Sequence, residues 1–130
     1  MPLLRISEAA ELVGVSDDTV RRWVSSGRLT ATVDGSHRQV VDGETLALFL
    51  RERVHTDPSG ASARNRLTGI VTDVQVDGLM AQVELAAGRY RIVSLMSREA
   101  AEELELRPGV PATAVIKATN VVVERKDPTG

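Results

Sequence analysis

The feature that most constrains this chain is a change of hydrophobic rhythm across a short breaker segment. Thr56-Asp57-Pro58-Ser59-Gly60-Ala61-Ser62 is small and polar, and holds both a proline and a glycine. Such a stretch reads as a linker. Before it, apolar residues recur at helical spacing; after it, short runs alternate with period two. One continuous layer of a single type cannot carry both rhythms. The chain is therefore expected to divide into residues 1–56, a linker at 57–61 and a second domain at 62–126, a split that leaves each domain of the 130 residues with a thin core.

In the first part, Ser7 is expected to cap a short helix through Ala9, Ala10, Leu12 and Val13, with Glu8 facing its positive end. Gly14-Val15 breaks that helix and Ser16 caps a second, whose first turn carries Asp17 and Asp18. Val20, Trp23 and Val24 then face inward, Arg21, Arg22, Ser25 and Ser26 outward, and Gly27 stops the helix. Asp34-Gly35 between the strand-like runs Leu29–Val33 and Ser36–Val41 signals a hairpin. Asp42 caps a third helix containing Leu46, Leu48, Phe49 and Leu50. Helix, helix, hairpin, helix is the order of a winged helix-turn-helix.

In the second part, Leu67–Val76, Met80–Leu85 and Arg89–Val93 read as strands, and Ser97 caps a short helix from Arg98 to about Leu104. Arg107-Pro108-Gly109 turns the chain, and Ala112–Ile116 and Asn120–Val123 read as closing strands, the last expected to be buried. Five or so short strands with one helix suggest a small OB-like barrel. The expected class is α+β, a winged helix-turn-helix followed by that barrel.

Net charge is −2, and it divides as seven Lys/Arg against nine Asp/Glu over residues 1–57 (7 − 9 = −2) and nine against nine thereafter. A nucleic-acid reading must rest on where the arginines sit, not on bulk charge. The only aromatics are Trp23, Phe49 and Tyr90, too few for a single-strand stacking platform. The absence of cysteine removes disulfides, thiolate metal sites and cysteine nucleophiles, and makes a reducing cytoplasm the expected compartment. The start is not expected to be a secretory leader, and no apolar run approaches the length of a membrane span. Both histidines, His37 and His55, lie outside the barrel, and no Ser/His/Asp order or Gly-rich phosphate loop is evident, so an enzyme is not expected.

Several stretches carry a family resemblance. Ile6-Ser7-Glu8-Ala9-Ala10, Val13-Gly14-Val15-Ser16, Thr19-Val20-Arg21-Arg22-Trp23, Gly27-Arg28-Leu29 and Gly35-Ser36-His37-Arg38 together resemble the excisionase/MerR-type winged helix-turn-helix family over residues 3–54. The resemblance implies double-stranded DNA as partner, with Thr19, Arg21, Arg22 and Arg28 at the second helix and His37 and Arg38 in the wing. Guanidinium groups suit that role because they pair bidentately with phosphate or guanine. The lesser alternative for Arg21 and Arg22 is a solvated face, and Trp23 reads as core.

Ser62-Ala63-Arg64-Asn65-Arg66-Leu67-Thr68-Gly69, Ser97-Arg98-Glu99-Ala100, Leu104-Glu105-Leu106-Arg107-Pro108-Gly109 and Val115-Ile116-Lys117-Ala118-Thr119-Asn120-Val121 resemble the molbindin (Mop/TOBE) domain over residues 61–125. That resemblance implies molybdate or tungstate as ligand, bound between subunits of a homo-oligomer, dimer or hexamer. The ligands carried over are Ser62, Ala63 and Arg64, then Ser97 with Ser94, then Lys117 and Ala118. The family often has Gly where this chain has Glu105. The chemistry agrees: a tetrahedral dianion only accepts hydrogen bonds, so it needs cations and N–H or O–H donors. Taken singly, Arg64 reads as a solvated linker residue and Lys117 as an edge-strand guard. The expected function is an oxyanion-sensing transcriptional regulator; an oxyanion store with a tethering helix-turn-helix, or an excisionase-like architectural DNA binder, are the alternatives.

Overall fold

A computed structural model describes residues 2–53 and 65–126. The chain forms two compact units, Met1–Thr56 and Asp57–Gly130. The linker expected at 57–61 lies outside the described residues.

The first unit runs β1 (Leu3–Arg5), α1 (Ile6–Val13), α2 (Asp17–Ser25), β2 (Ala31–Val33), β3 (Gln39–Asp42) and α3 (Gly43–Arg53). Strand β1 was not foreseen. It pairs antiparallel with β3, Leu4 opposite Val41 and Arg5 opposite Val40, giving a three-stranded sheet in the order β1-β3-β2. Because that pairing delivers the chain straight into α1, the N-cap is Arg5 and the expected cap, Ser7, falls inside the first turn. Glu8 still reaches back, accepting from the Arg5 N–H at 3.3 Å. The second cap is as expected: Ser16 Oγ accepts from the Thr19 N–H at 3.1 Å. A cap of this kind contributes about 1 kcal/mol. Asp42 likewise starts α3, accepting from the Glu44 N–H and, at 3.0 Å, from the Thr45 hydroxyl.

Ile6, Ala9 and Ala10 of α1, Val20 and Trp23 of α2, Leu29, Val41 and Leu46 make the buried core of this unit. The Trp23 and Phe49 rings pack tilted with centroids 4.8 Å apart, so Trp23 is a core residue. The hairpin after α2 turns through five residues, not the two of Asp34-Gly35. Asp34 Oδ1 accepts from the Ser36 N–H at 2.8 Å and the Arg38 N–H at 2.9 Å, and the Asp34 N–H donates to the Arg38 carbonyl. The left-handed backbone falls on His37, at φ 62°, and the expected strand Ser36–Val41 begins only at Gln39.

The second unit runs β4 (Asn65–Asp77), β5 (Met80–Ala87), β6 (Tyr90–Ser97), α4 (Arg98–Glu103), β7 (Pro111–Ile116) and a 3-10 turn at Ala118–Asn120. All pairings are antiparallel, in the order β6-β5-β4-β7. Val71, Ala81, Val83 and Leu85 form the core, with Ala101 of α4 packed on it. Two features give β4 its path: a register shift between Val71 and Asp73, and Gly69. A Cβ at Gly69 would fall 2.7 Å from the Ala86 carbonyl carbon and 2.9 Å from the Ala87 Cα, so β5 passes there only because the position has no side chain.

Two expectations are corrected here. Among the described residues the sheet is an open four-stranded one, with no pairing between β6 and β7 to close a barrel. Asn120–Val123 is not a buried strand: after the 3-10 turn the chain runs on with Val122 and Val123 at 89% and 86% exposure. The chain's own strands leave that valine run no partner among the described residues.

Candidate functional site

Two sets of chemically capable residues stand on the two units. On the first, Thr19 is half-buried and its hydroxyl lies 2.9 Å from Ser16 Oγ, so it serves the start of α2. Arg21, Arg22, Arg28, His37 and Arg38 are all exposed. Among the described residues Arg21 makes only an exposed contact with Asp18, 3.5 Å one turn back. The structure brings Arg21 of α2 and Arg38 of the hairpin to one hollow of about 370 Å³, which Asp17 also lines. Arg22, Arg28 and His37 are outside that hollow. Arg5 is inside it, a residue that sequence reasoning missed because β1 itself was missed. Asp34 fixes the loop that carries Arg38: the amide N–H groups of Arg38 and then Ser36 hold its carboxyl below the usual carboxylate range.

On the second unit, Ser62, Ala63 and Arg64 lie outside the described residues. Asn65, which follows them, is opposite Ile116, which precedes Lys117, and the Asn65 side-chain amide donates to the Ile116 carbonyl at 3.1 Å. Lys117 therefore follows the Asn65 end of the β4–β7 ladder. Lys117 is exposed and makes no ion pair among the described residues; Ala118 opens the 3-10 turn that follows it.

Ser97 is at the other end. Its hydroxyl oxygen accepts from the Ala100 N–H at 3.1 Å, capping α4 and leaving its proton free to donate. Ser97 is opposite Met80, which is opposite Asp77, the last residue of β4. Ser94 is opposite Val83, nearer the middle of the same ladder, and both serines are exposed. Since β4 has 13 residues, its Asp77 and Asn65 ends are roughly 40 Å apart along the strand. One chain does not bring Ser97 to Lys117 along that path.

Among the described residues no His, Cys, Asp or Glu cluster could hold a metal ion, and no helix is long and apolar enough to cross a membrane. What the two units define is a two-module binding protein, one module offering arginines at a helix-turn-helix surface, the other hydroxyl and ammonium donors at the ends of an antiparallel sheet.

Comparison with known proteins agrees. Residues 3–54 match a helix-turn-helix domain family and residues 61–123 match the TOBE domain family. Molybdenum-pterin-binding protein 1 of Clostridium pasteurianum is 41% identical over 63 residues, 48% of this chain and 93% of that protein. Molybdenum-pterin-binding protein MopA of Rhodobacter capsulatus is 42% identical over 79 residues, but this chain spans only 29% of its length. Among solved structures, the cytoplasmic molybdate-binding protein ModG with molybdate bound is 48% identical over 52% of this chain and 50% of that one, with a TM-score of 0.47. The chain belongs to the TOBE-domain family and carries a helix-turn-helix domain ahead of its TOBE domain. Its relatives are named as binding proteins.

Proposed function

We propose that this protein is a cytoplasmic transcriptional regulator that binds molybdate or tungstate between subunits of a homo-oligomer and binds double-stranded DNA through a winged helix-turn-helix. The observation that carries the oxyanion half is the separation of Ser97 from Lys117 by the length of β4. Donors at opposite ends of one sheet unit converge only when the Lys117 end of one copy meets the Ser97 end of another. Charge balance supports the ligand class, because Arg64 and Lys117 neutralise a dianion that Ser62, Ser94, Ser97 and backbone amides at Ala63 and Ala118 then orient. Relatives named for molybdenum support the metal.

Self-association has its own support. Leu95 on the edge strand β6 is 69% exposed, and Val122 and Val123, beyond the 3-10 turn, are 89% and 86% exposed. A valine run from a neighbouring copy would complete the sheet unit toward the barrel expected from the sequence. For DNA, the support is the surface shared by Arg21 and Arg38.

The test is complementation followed by coupling. Ser97→Ala and Lys117→Ala should each weaken molybdate binding by at least tenfold, about 1.4 kcal/mol, in calorimetric titration. Subunit-exchanged mixtures of the two should recover a fraction of wild-type sites, since some interfaces then pair an intact Ser97 end with an intact Lys117 end. No recovery after proven exchange refutes the interfacial site. A regulator further requires that saturating molybdate change DNA affinity, and DNA change molybdate affinity by the same factor, typically about 5–150-fold. Independent affinities leave the oxyanion store, a reading that the net −2 of residues 1–57 favours; DNA binding without molybdate binding leaves the architectural binder.

A further inference from the structure

Arg5 has no part in the function described so far, yet it occupies a defined place. It is the last residue of β1 and the N-cap of α1, and register sets it beside Val40, two residues on from Arg38. With Arg21 and Arg38 it lines the hollow at the junction of α1, α2 and the hairpin, together with Ser7, Gln39 and Asp17. The side chain of Ser7, released from capping by the earlier start of α1, makes no hydrogen bond among the described residues. Three guanidiniums face one lining carboxylate.

The carboxylates nearby do not saturate these arginines. Glu8 stands 4.0 Å from Arg5 and Asp18 3.5 Å from Arg21, in one-turn pairs whose members are all at least half exposed. Asp34 draws on both Arg38 and Arg5 electrostatically, but its carboxyl is turned to the Arg38 and Ser36 amides. Exposed pairs of this kind are weak, whereas a guanidinium–phosphate bond is charge-assisted on both sides. An incoming phosphate would therefore displace them.

We infer that this hollow seats one backbone phosphate of bound DNA, with Arg5 as a phosphate ligand supplied by β1 in addition to Arg21 of α2 and Arg38 of the hairpin, and Ser7 as a hydroxyl donor. The inference rests on the DNA-binding reading and deepens it. A polymer is favoured over a free oxyanion because all three arginines are exposed and hydrated. An isolated dianion gains little there, while a phosphate already held nearby by its neighbours in a strand arrives at high effective concentration. The contact would be blind to sequence and would fix the orientation of α2 on the duplex.

The test measures duplex DNA binding by fluorescence anisotropy on the full chain across a salt series. Arg5→Ala should weaken binding about tenfold and reduce the slope of log K against log salt by about 0.9, the share of one phosphate contact. Arg5→Gln, which keeps an uncharged stem beside Val40, should lose the same slope, and Arg5→Lys should retain it. Arg51→Ala, removing an exposed charge from α3, should leave the slope unchanged. If Arg22→Ala weakens binding while Arg5→Ala and Arg5→Gln keep the wild-type slope, DNA binding stands and the phosphate seat is refuted. If the wild type binds no duplex even at low salt, both fall. If inorganic phosphate without DNA binds saturably and Arg5→Gln abolishes that binding, the hollow is a free-anion site and its assignment to DNA is overturned.

Discussion

Glu105 occupies a backbone position that its side chain does not favour, and replacing it with glycine should stabilise the second unit. It follows Leu104, the C-cap of α4, with φ at 53°. The helix end closes as a Schellman motif, the Leu106 N–H donating to the Ala101 carbonyl and the Glu105 N–H to the Glu102 carbonyl, both at 3.0 Å. A residue with a Cβ costs roughly 1–2 kcal/mol in this left-handed region. Glycine removes that cost but brings about 0.5–1 kcal/mol of extra unfolded-state freedom. The net for Glu105→Gly is a stabilisation of about 0.75 kcal/mol, or roughly 3–6 °C in the melting temperature of a unit this size. Thermal melts by circular dichroism, at fixed protein concentration and without oxyanion, should show the shift in one transition only. Glu105→Ala removes the charge and keeps the strain, so it should gain less than half as much. A glycine variant no more stable than the alanine variant would refute the strain argument.

The remaining expectations concern packing, pH and ligand. Gly69→Ala drives a Cβ into the backbone of Ala86 and Ala87 and should destabilise the second unit by about 3 kcal/mol or more in urea titrations; a wild-type midpoint would contradict the close approach of β5. The carboxyls of Asp34 and Glu84 are held below their ordinary values, Asp34 first by the Arg38 amide and Glu84 first by the Thr72 hydroxyl and then by Arg91. Their stabilisation is therefore complete above the ordinary carboxylate range and lost as pH falls through the folded values. Asp34→Asn should accordingly flatten the acid limb of the first unit's melting profile and leave the second unit's unchanged, as two-wavelength melts following Trp23 separately would establish. Arg64→Ala should weaken molybdate binding at least tenfold in calorimetry, and an unchanged titration would remove it from the site.

Local chemistry was legible without the structure. Ser16 and Ser97 cap helices because a short polar side chain reaches an amide three residues on, and Asp42 because its carboxylate reaches the amide two residues on, interactions wholly contained in the local sequence. Val20 and Trp23 are buried for a similar reason, since helical spacing alone puts them on one face. Ser7 failed as a cap because the start of α1 is decided by β1 pairing with β3, a contact across some 36 residues that no local pattern encodes. The same pairing brought Arg5 to Arg21 and Arg38. In the hairpin, Asp34-Gly35 correctly announced a turn, but the Asp34 carboxylate, by accepting two amides, set the loop length and shifted the left-handed residue to His37. The valine run at 121–123 reads from sequence as a buried strand, yet burial depends on a partner, and the chain's own sheet leaves it exposed. The motifs around Ser97 and Lys117 were readable one by one in the sequence. Only the register of β4 with its neighbours determined that they lie a full strand apart, because strand pairing is set by contacts between distant parts of the chain and not by the order of residues within either motif.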